Sequence, residues 1–307
     1  MNIPQNKEGI KEVDDSSCKT PNEYMWLLRK LSWLDNYGVE FNCKINQNMS
    51  FSKTRQGSVQ HPEGVEVVVD TQDDRLVKES AHLIEQLGRD KTKSKYTVYF
   101  GAKGVELRLS SHIHKKGILV DFSTIDRRIG AGNLSKKQQL PKAIGDYTTV
   151  IDATAGFGKD AMLLTLMGYN VIAIEQSPII SVLLRDGLYR AQLNTELDEA
   201  IGGRLQFVES NSINHFSKIE NPEVIYIDPM FPPKKKKSAL PPGHIQALQS
   251  IVGHENPKET TLMFEAALQT ATQRIVIKRP THSQHIKNNP VAVHEGKTIR
   301  YDVYRPS

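Results

Sequence analysis

Apolar residues recur along this chain in two rhythms, and the change falls near residue 145. In the second half the runs TVIDAT, NVIAIE, RLQFVE, EVIYID and RIVIKR are almost continuously apolar and predict strands. Helices are predicted between them at 158–168, 178–194, 244–252 and 257–272. Apolar strands alternating with helices are the pattern of a parallel sheet covered on both faces. VAVHE and TIRYDVYR then flank a Gly-Lys turn, which predicts a closing antiparallel hairpin.

The first half is shorter in stride. Strands are predicted at 65–69, 96–100, 105–109 and 117–122, with a helix near 74–88, and glycines punctuate them. Before Val65 the pattern thins. Residues 1–20 read as a flexible tail, and 22–37 carry Trp26, Leu27, Leu31 and Leu34 at helical spacing. Val39, Phe41, Cys43 and Ile45 alternate as a short strand, and 46–64 read as a linker. The expected division is an extension over 1–64, a small α/β lobe over 65–145 and a larger α/β domain over 146–307.

Composition narrows the class. With 38% hydrophobic and 24% charged residues in 307, the chain can build a real core and is not wholly disordered. Cys18 and Cys43 form no CxxC pair, so neither a disulfide framework nor a cysteine-built zinc site is expected. No apolar run is long enough to span a bilayer and the N-terminus is polar, so the expectation is a cytoplasmic protein. The net charge of +5 is unevenly placed. Residues 103–142 hold nine basic side chains against Glu106, Asp121 and Asp126, and Lys234, Lys235, Lys236 and Lys237 are consecutive. Clustered cation suits a polyanion such as nucleic acid; a solvated basic face explains it equally well on charge alone.

Ligands of open α/β sheets sit at the C-terminal ends of the strands, so the residues following each strand carry the chemistry. The first strand of the second half is followed by Asp152-Ala-Thr-Ala-Gly156-Phe-Gly158-Lys159-Asp160. Two glycines allow a tight turn and close backbone approach, and the next strand ends in Glu175, an acid placed to accept from ribose hydroxyls. This much fits a nicotinamide cofactor, S-adenosylmethionine or a loop using glycine only for packing. The fourth strand runs into Asp228-Pro229-Met230-Phe231-Pro232. An exocyclic base amine is a poor nucleophile because its lone pair is delocalised into the ring. Asp228 and the Pro229 carbonyl are suited to accept its two N–H bonds, and Phe231 to stack on the base. That combination favours methyl transfer to a planar amine. His112 and His114 share one face of a predicted strand with nothing to complete a metal set, so no metal is expected.

These motifs resemble the ribosomal RNA small subunit methyltransferase J family. The resemblance rests on GILVDF (117–122), DRRIGAGNLSKKQQLPKAIG (126–145), VIDATAGFGKDA (150–161), IEQSP (174–178), LYRAQ (188–192) and IYIDPMFPPKKKKSAL (225–240). It continues through QSIVG (249–253), VIKRP (276–280) and RYDVY (300–304). It implies a Rossmann-like class I fold with a seven-stranded, mostly parallel sheet, and methylation of a guanine N2 in 16S rRNA of the small ribosomal subunit. S-adenosylmethionine would be the cofactor, contacted through Lys159, Asp160, Glu175, Gln176, Asn211, Ser212 and Asp228 together with Asp152, Gly156 and Gly158. RNA would meet Arg127, Arg128, Lys136, Lys137, the run Lys234 to Lys237, Lys278 and Arg279. Lys159 and Gln176 stand where the family often has arginine, and Asn211 where it often has serine. A nicotinamide-dependent oxidoreductase and a non-catalytic RNA- or ribosome-binding protein are the competing readings.

Overall fold

The computed structural model describes residues 65–87, 95–128, 134–219, 222–229, 251, 256–270 and 273–306. The extension over 1–64, Phe231, the four-lysine run and nearly all of the helix expected at 244–252 lie outside them. Two sheets organise the described chain. The first holds β1 (Val65–Val69), β2 (Tyr96–Gly101), β3 (Gly104–Leu109) and β4 (Ile118–Leu119) in that spatial order, with α1 (Asp74–Leu87) crossing between the parallel pair β1 and β2. α1 begins where Asp73 Oδ1 accepts from the Leu76 N–H at 3.1 Å, and it buries Leu76, Ser80 and Leu83.

The second sheet is built from β5 (Thr149–Asp152), β6 (Asn170–Glu175), β7 (Leu205–Glu209), β8 (Val224–Ile227), β9 (Arg274–Pro280), β10 (Ala292–Glu295) and β11 (Ile299–Tyr304). Their order is β10-β11-β9-β8-β5-β6-β7; β5 to β9 are mutually parallel, and β11 and β10 complete an antiparallel hairpin. The chain winds outward from β5 in both directions, so the switch point lies between β5 and β8. The connecting helices are α2 (Gln139–Ile144), α3 (Lys159–Leu166), α4 (Pro178–Gln192), α5 (Thr195–Ile201), α6 (Ser212–Phe216) and α7 (Pro257–Gln269). One core joins α2 to α5 and the small lobe to one sheet face, and a second packs α6 and α7 on the other. Burial on both faces explains why β8 reads VIYI with all four residues buried.

Two local expectations are corrected. The strand expected at 117–122 pairs only over 118–119, because the Val120 carbonyl accepts from the Arg190 guanidinium instead of from a strand. His112 and His114 do not share a strand face, since Ser110–His112 is a 3-10 turn and both histidines are exposed.

The small lobe is fastened to the sheet through α4. Asp186, 1% exposed, accepts from Arg75 at 2.7 Å, Arg190 at 3.0 Å and the Val105 N–H at 3.0 Å. The next residue, Gly187, lets the backbone of Val120 approach. A Cβ there would lie 2.6 Å from Val120 Cγ1 and 2.8 Å from its carbonyl oxygen. Gly187→Ala is therefore expected to destabilise the fold by about 1–3 kcal/mol, the usual cost of overpacking. Urea titration should show a lower midpoint with an unchanged slope; a midpoint at or above wild type would mean that the lobe can retreat freely.

Candidate active site

The loop after β5 turns sharply enough to need glycine. Gly156 and Gly158 have φ of 55° and 73°, in the left-handed region, and a Cβ at Gly158 would stand 2.5 Å from Leu184 Cδ1. Glu175, at the end of β6, is what holds this loop. Its Oε2 accepts from the Gly156 N–H at 2.9 Å and its Oε1 from the Ser177 N–H at 2.8 Å. The side chain is buried, and that burial pushes its carboxyl above the usual range against the pull of those N–H groups. Gln176 follows, and its Oε1 accepts from Asn211 Nδ2 at 2.9 Å. Two of the three positions at which this chain departs from the family pattern thus bond to each other. Asn211 also caps α6, and the Ser212 hydroxyl donates to the Ala153 carbonyl below the loop. Lys159, at the start of α3, is exposed.

A second cluster lies across the switch point. Asp152 closes β5 and is 1% exposed; burial, then the charge of Asp160, raises its pKa well above the usual carboxylate value. Asp228 follows β8, and its backbone N–H donates to Thr154 Oγ1 at 2.7 Å, tying the two strand ends together. The register Ile227 opposite Ile277 sets Asp228 level with Lys278 on β9. Lys278 Nζ accordingly lies 2.7 Å from Asp228 Oδ2 and 3.0 Å from Asp160 Oδ2. Asp160 Oδ2 further accepts from the Tyr226 hydroxyl at 2.7 Å. Burial alone would lower the Lys278 pKa, but Asp228 and then Asp160 more than reverse this, so it is raised and the ammonium stays charged. For Asp228 burial wins over Lys278 and lifts the carboxyl to about 6.

Ten of the expected site residues are thereby gathered at the C-terminal ends of β5, β6, β7 and β8. The basic residues are scattered. Arg127 pairs with Glu196 at 2.6 Å and Arg128 with Asp126, while Lys136 and Lys137 are exposed before α2. Arg279 Nη2 donates to the Gln284 carbonyl at 3.4 Å. Lys278 faces the carboxylates of the site, not an outer surface. Sequence reasoning passed over Tyr226 and Thr154; the available signal was a tyrosine and a threonine inside or directly beyond otherwise apolar strands. Among the described residues, no group of three or more His, Cys, Asp or Glu is arranged to hold a metal, and no helix is long and apolar enough to cross a membrane.

The donor set has a definite preference. Asp160 and Asp228 on one ammonium, beside the buried Asp152 and Glu175, make an acidic cluster that suits a ligand carrying positive charge. A sulfonium with an α-ammonium fits it; a dinucleotide pyrophosphate does not.

Comparison with known proteins agrees. A family model described as putative SAM-dependent methyltransferase matches residues 82–306. The ribosomal RNA small subunit methyltransferase J of Aeromonas salmonicida is 35% identical, over 68% of this chain and 86% of that protein. The protein of the same name from Tolumonas auensis is 32% identical, over 78% of this chain and 97% of its own. Among solved structures, a SAM-dependent methyltransferase from Neisseria gonorrhoeae aligns with a TM-score of 0.58 and 26% identity, covering 78% of this chain and 96% of that one. With strand order, switch-point acids and these relatives in accord, the chain belongs to the ribosomal RNA small subunit methyltransferase J family of S-adenosylmethionine-dependent methyltransferases.

Proposed function

We propose that this enzyme methylates the exocyclic N2 amine of one guanine in 16S rRNA of the small ribosomal subunit. The observation that carries the reading is Asp228, a carboxylate at the switch point with Oδ2 engaged by Lys278 and Oδ1 accepting no bond from the described residues. When bound, S-adenosylmethionine supplies a methyl group on a sulfonium that departs as a neutral thioether. Asp228 and the carbonyl of Pro229 accept the two amine N–H bonds, localising the lone pair and aiming it. Phe231 stacks on the base, which leaves its RNA helix to enter the site. The amine proton is lost to water after transfer, so the chain needs no obligatory general base.

Asp152, Gly156, Gly158, Lys159, Asp160, Glu175, Gln176, Asn211 and Ser212 surround the cofactor in this reading. The acidic cluster at the strand ends weighs against the nicotinamide alternative and against a non-catalytic RNA binder. Residues 1–64 form an extension dispensable for chemistry, 65–145 the basic lobe and 146–307 the methyltransferase domain. Mass mapping of 16S rRNA from cells with and without the gene tests the reaction: one missing N2-methylguanine supports it, and an unchanged map sinks it.

The RNA face is reassigned in strength. Arg127 and Arg128 each have an acidic partner, so releasing them gains little; Lys136 and Lys137 are exposed. Lys136→Ala with Lys137→Ala is expected to flatten the dependence of log Kd on log salt by about 0.7–0.9 per lost phosphate contact. Arg127→Ala with Arg128→Ala should flatten it less. Equal slopes in both double variants and wild type would make the basic lobe a solvated face.

A further inference from the structure

We propose that Lys278 is a positioning residue for methyl transfer, holding Asp228 as a carboxylate with one oxygen turned to the ammonium and the other left for the substrate amine. This rests on the reading of Asp228 as the amine acceptor. Lys278 stands at the end of a buried central strand, with only 19% of its side chain exposed, and among the described residues both hydrogen-bond partners of its ammonium are carboxylates. A lysine meant for RNA phosphate would be turned outward and solvated. This one is fixed from two sides, because the Asp160 oxygen that it touches is itself pinned by the Tyr226 hydroxyl.

The surroundings of Asp228 explain why a cation is needed there. Facing it are Asp160 from α3 and Lys278 from β9, with Asp152 on β5, Tyr226 on β8 and Tyr301 on β11 coupled to the same cluster. Of these groups only Lys278 is cationic. Register sets Tyr301 opposite Lys278, so the ammonium has a phenol on one side and carboxylates on the other. Without it, the charged groups beside Asp228 among the described residues would be carboxylates, Asp160 and Asp152. A proton is then the cheapest counter-charge. A protonated Asp228 offers an O–H toward an amine that also offers N–H, and the arrangement that localises the lone pair is lost.

The test is a pH profile. In wild type, kcat/KM should fall on the acid side with a midpoint near 6, the value to which burial lifts Asp228. Lys278→Met, close in shape and uncharged, is expected to move that limb up by roughly one to three units, the range for removing a close opposite charge. Activity at pH 7 then falls by about twofold for a shift of one unit, tenfold for two and a hundredfold for three, and returns at alkaline pH. Lys278→Arg keeps the charge and should restore most of the limb. Carboxyl 13C NMR of Asp228 in the cofactor-free protein supplies a readout independent of turnover, and the same upward displacement is expected there. A folded Lys278→Met protein whose profile and carboxyl titration both match wild type overturns the proposal. If Lys278→Met does not fold, a Lys278→Arg protein with a lowered kcat and the wild-type limb supports it, and one with a displaced limb overturns it. Should wild type transfer no methyl group to 16S rRNA, the functional reading fails by itself, while the NMR titration still decides whether Lys278 governs Asp228.

Discussion

Asp228→Ala is expected to lower kcat for rRNA methylation by about a hundredfold or more while leaving the protein folded. One charge-assisted hydrogen bond is worth about 1.5–3 kcal/mol, or roughly ten- to two-hundredfold in rate. The loss here exceeds that of a simple contact, because the carboxylate also localises the amine lone pair. Asp228 holds its place through a backbone bond to Thr154, which alanine retains, so the strand ends should stay together. Asp228→Asn keeps one acceptor oxygen but brings an NH2 that competes with the amine as a donor, and it should fall between wild type and alanine. Single-turnover methylation at saturating cofactor measures both variants. An Asp228→Ala enzyme with wild-type kcat would remove the DPMF segment from the chemistry.

The parts of this site that were legible in the sequence are those set by local pattern. A strand of a parallel sheet is apolar throughout, so TVIDAT, NVIAIE and EVIYID announced their own ends, and Asp152, Glu175 and Asp228 followed at those ends. The two glycines announced a turn because left-handed backbone leaves few alternatives. Lys278 was visible at the end of RIVIKR but misread. A lysine after a strand looks solvated until the neighbouring strand's register is known, and only the pairing of Ile227 with Ile277 sets Asp228 beside it. The pairing of Asn211 with Gln176 spans 35 residues and is likewise set by the order of β6 and β7. α2, α5 and α6 escaped notice because five to seven residues hold too little periodicity, and α5 and α6 are defined by the caps Asn194 and Asn211. The end of β4 depended on an arginine 70 residues away that takes the Val120 carbonyl.

Glu175→Ala is expected to weaken S-adenosylmethionine binding more than the loss of ribose contacts alone. Ribose hydroxyls bonded to a charged acceptor account for about 1.5–3 kcal/mol. The same side chain accepts from the N–H groups of Gly156 and Ser177, one on each oxygen. Alanine strands both donors, at a cost of roughly 1–3 kcal/mol each, and releases the glycine turn that faces the ligand. A fall in affinity of about a hundredfold and a lower melting temperature should therefore appear together. Glutamine is no refuge. Its single oxygen serves one N–H, and its NH2 confronts the other, so Glu175→Gln should lie nearer to alanine than its shape suggests. The pH dependence carries a separate mark. Burial raises the Glu175 carboxyl above its value of 4.5 in the unfolded chain, so the folded protein holds the proton longer. Stability from this group is full below that value and declines as pH rises through the folded one; both variants lose that slope. Calorimetric titration with S-adenosylmethionine and with NADH, beside thermal melts between acid and neutral pH, checks all of this. NADH should show no saturable binding to any form. A Glu175→Ala protein that melts earlier yet binds S-adenosylmethionine as tightly as wild type would reduce Glu175 to a fastener of the glycine loop and take it out of the cofactor site.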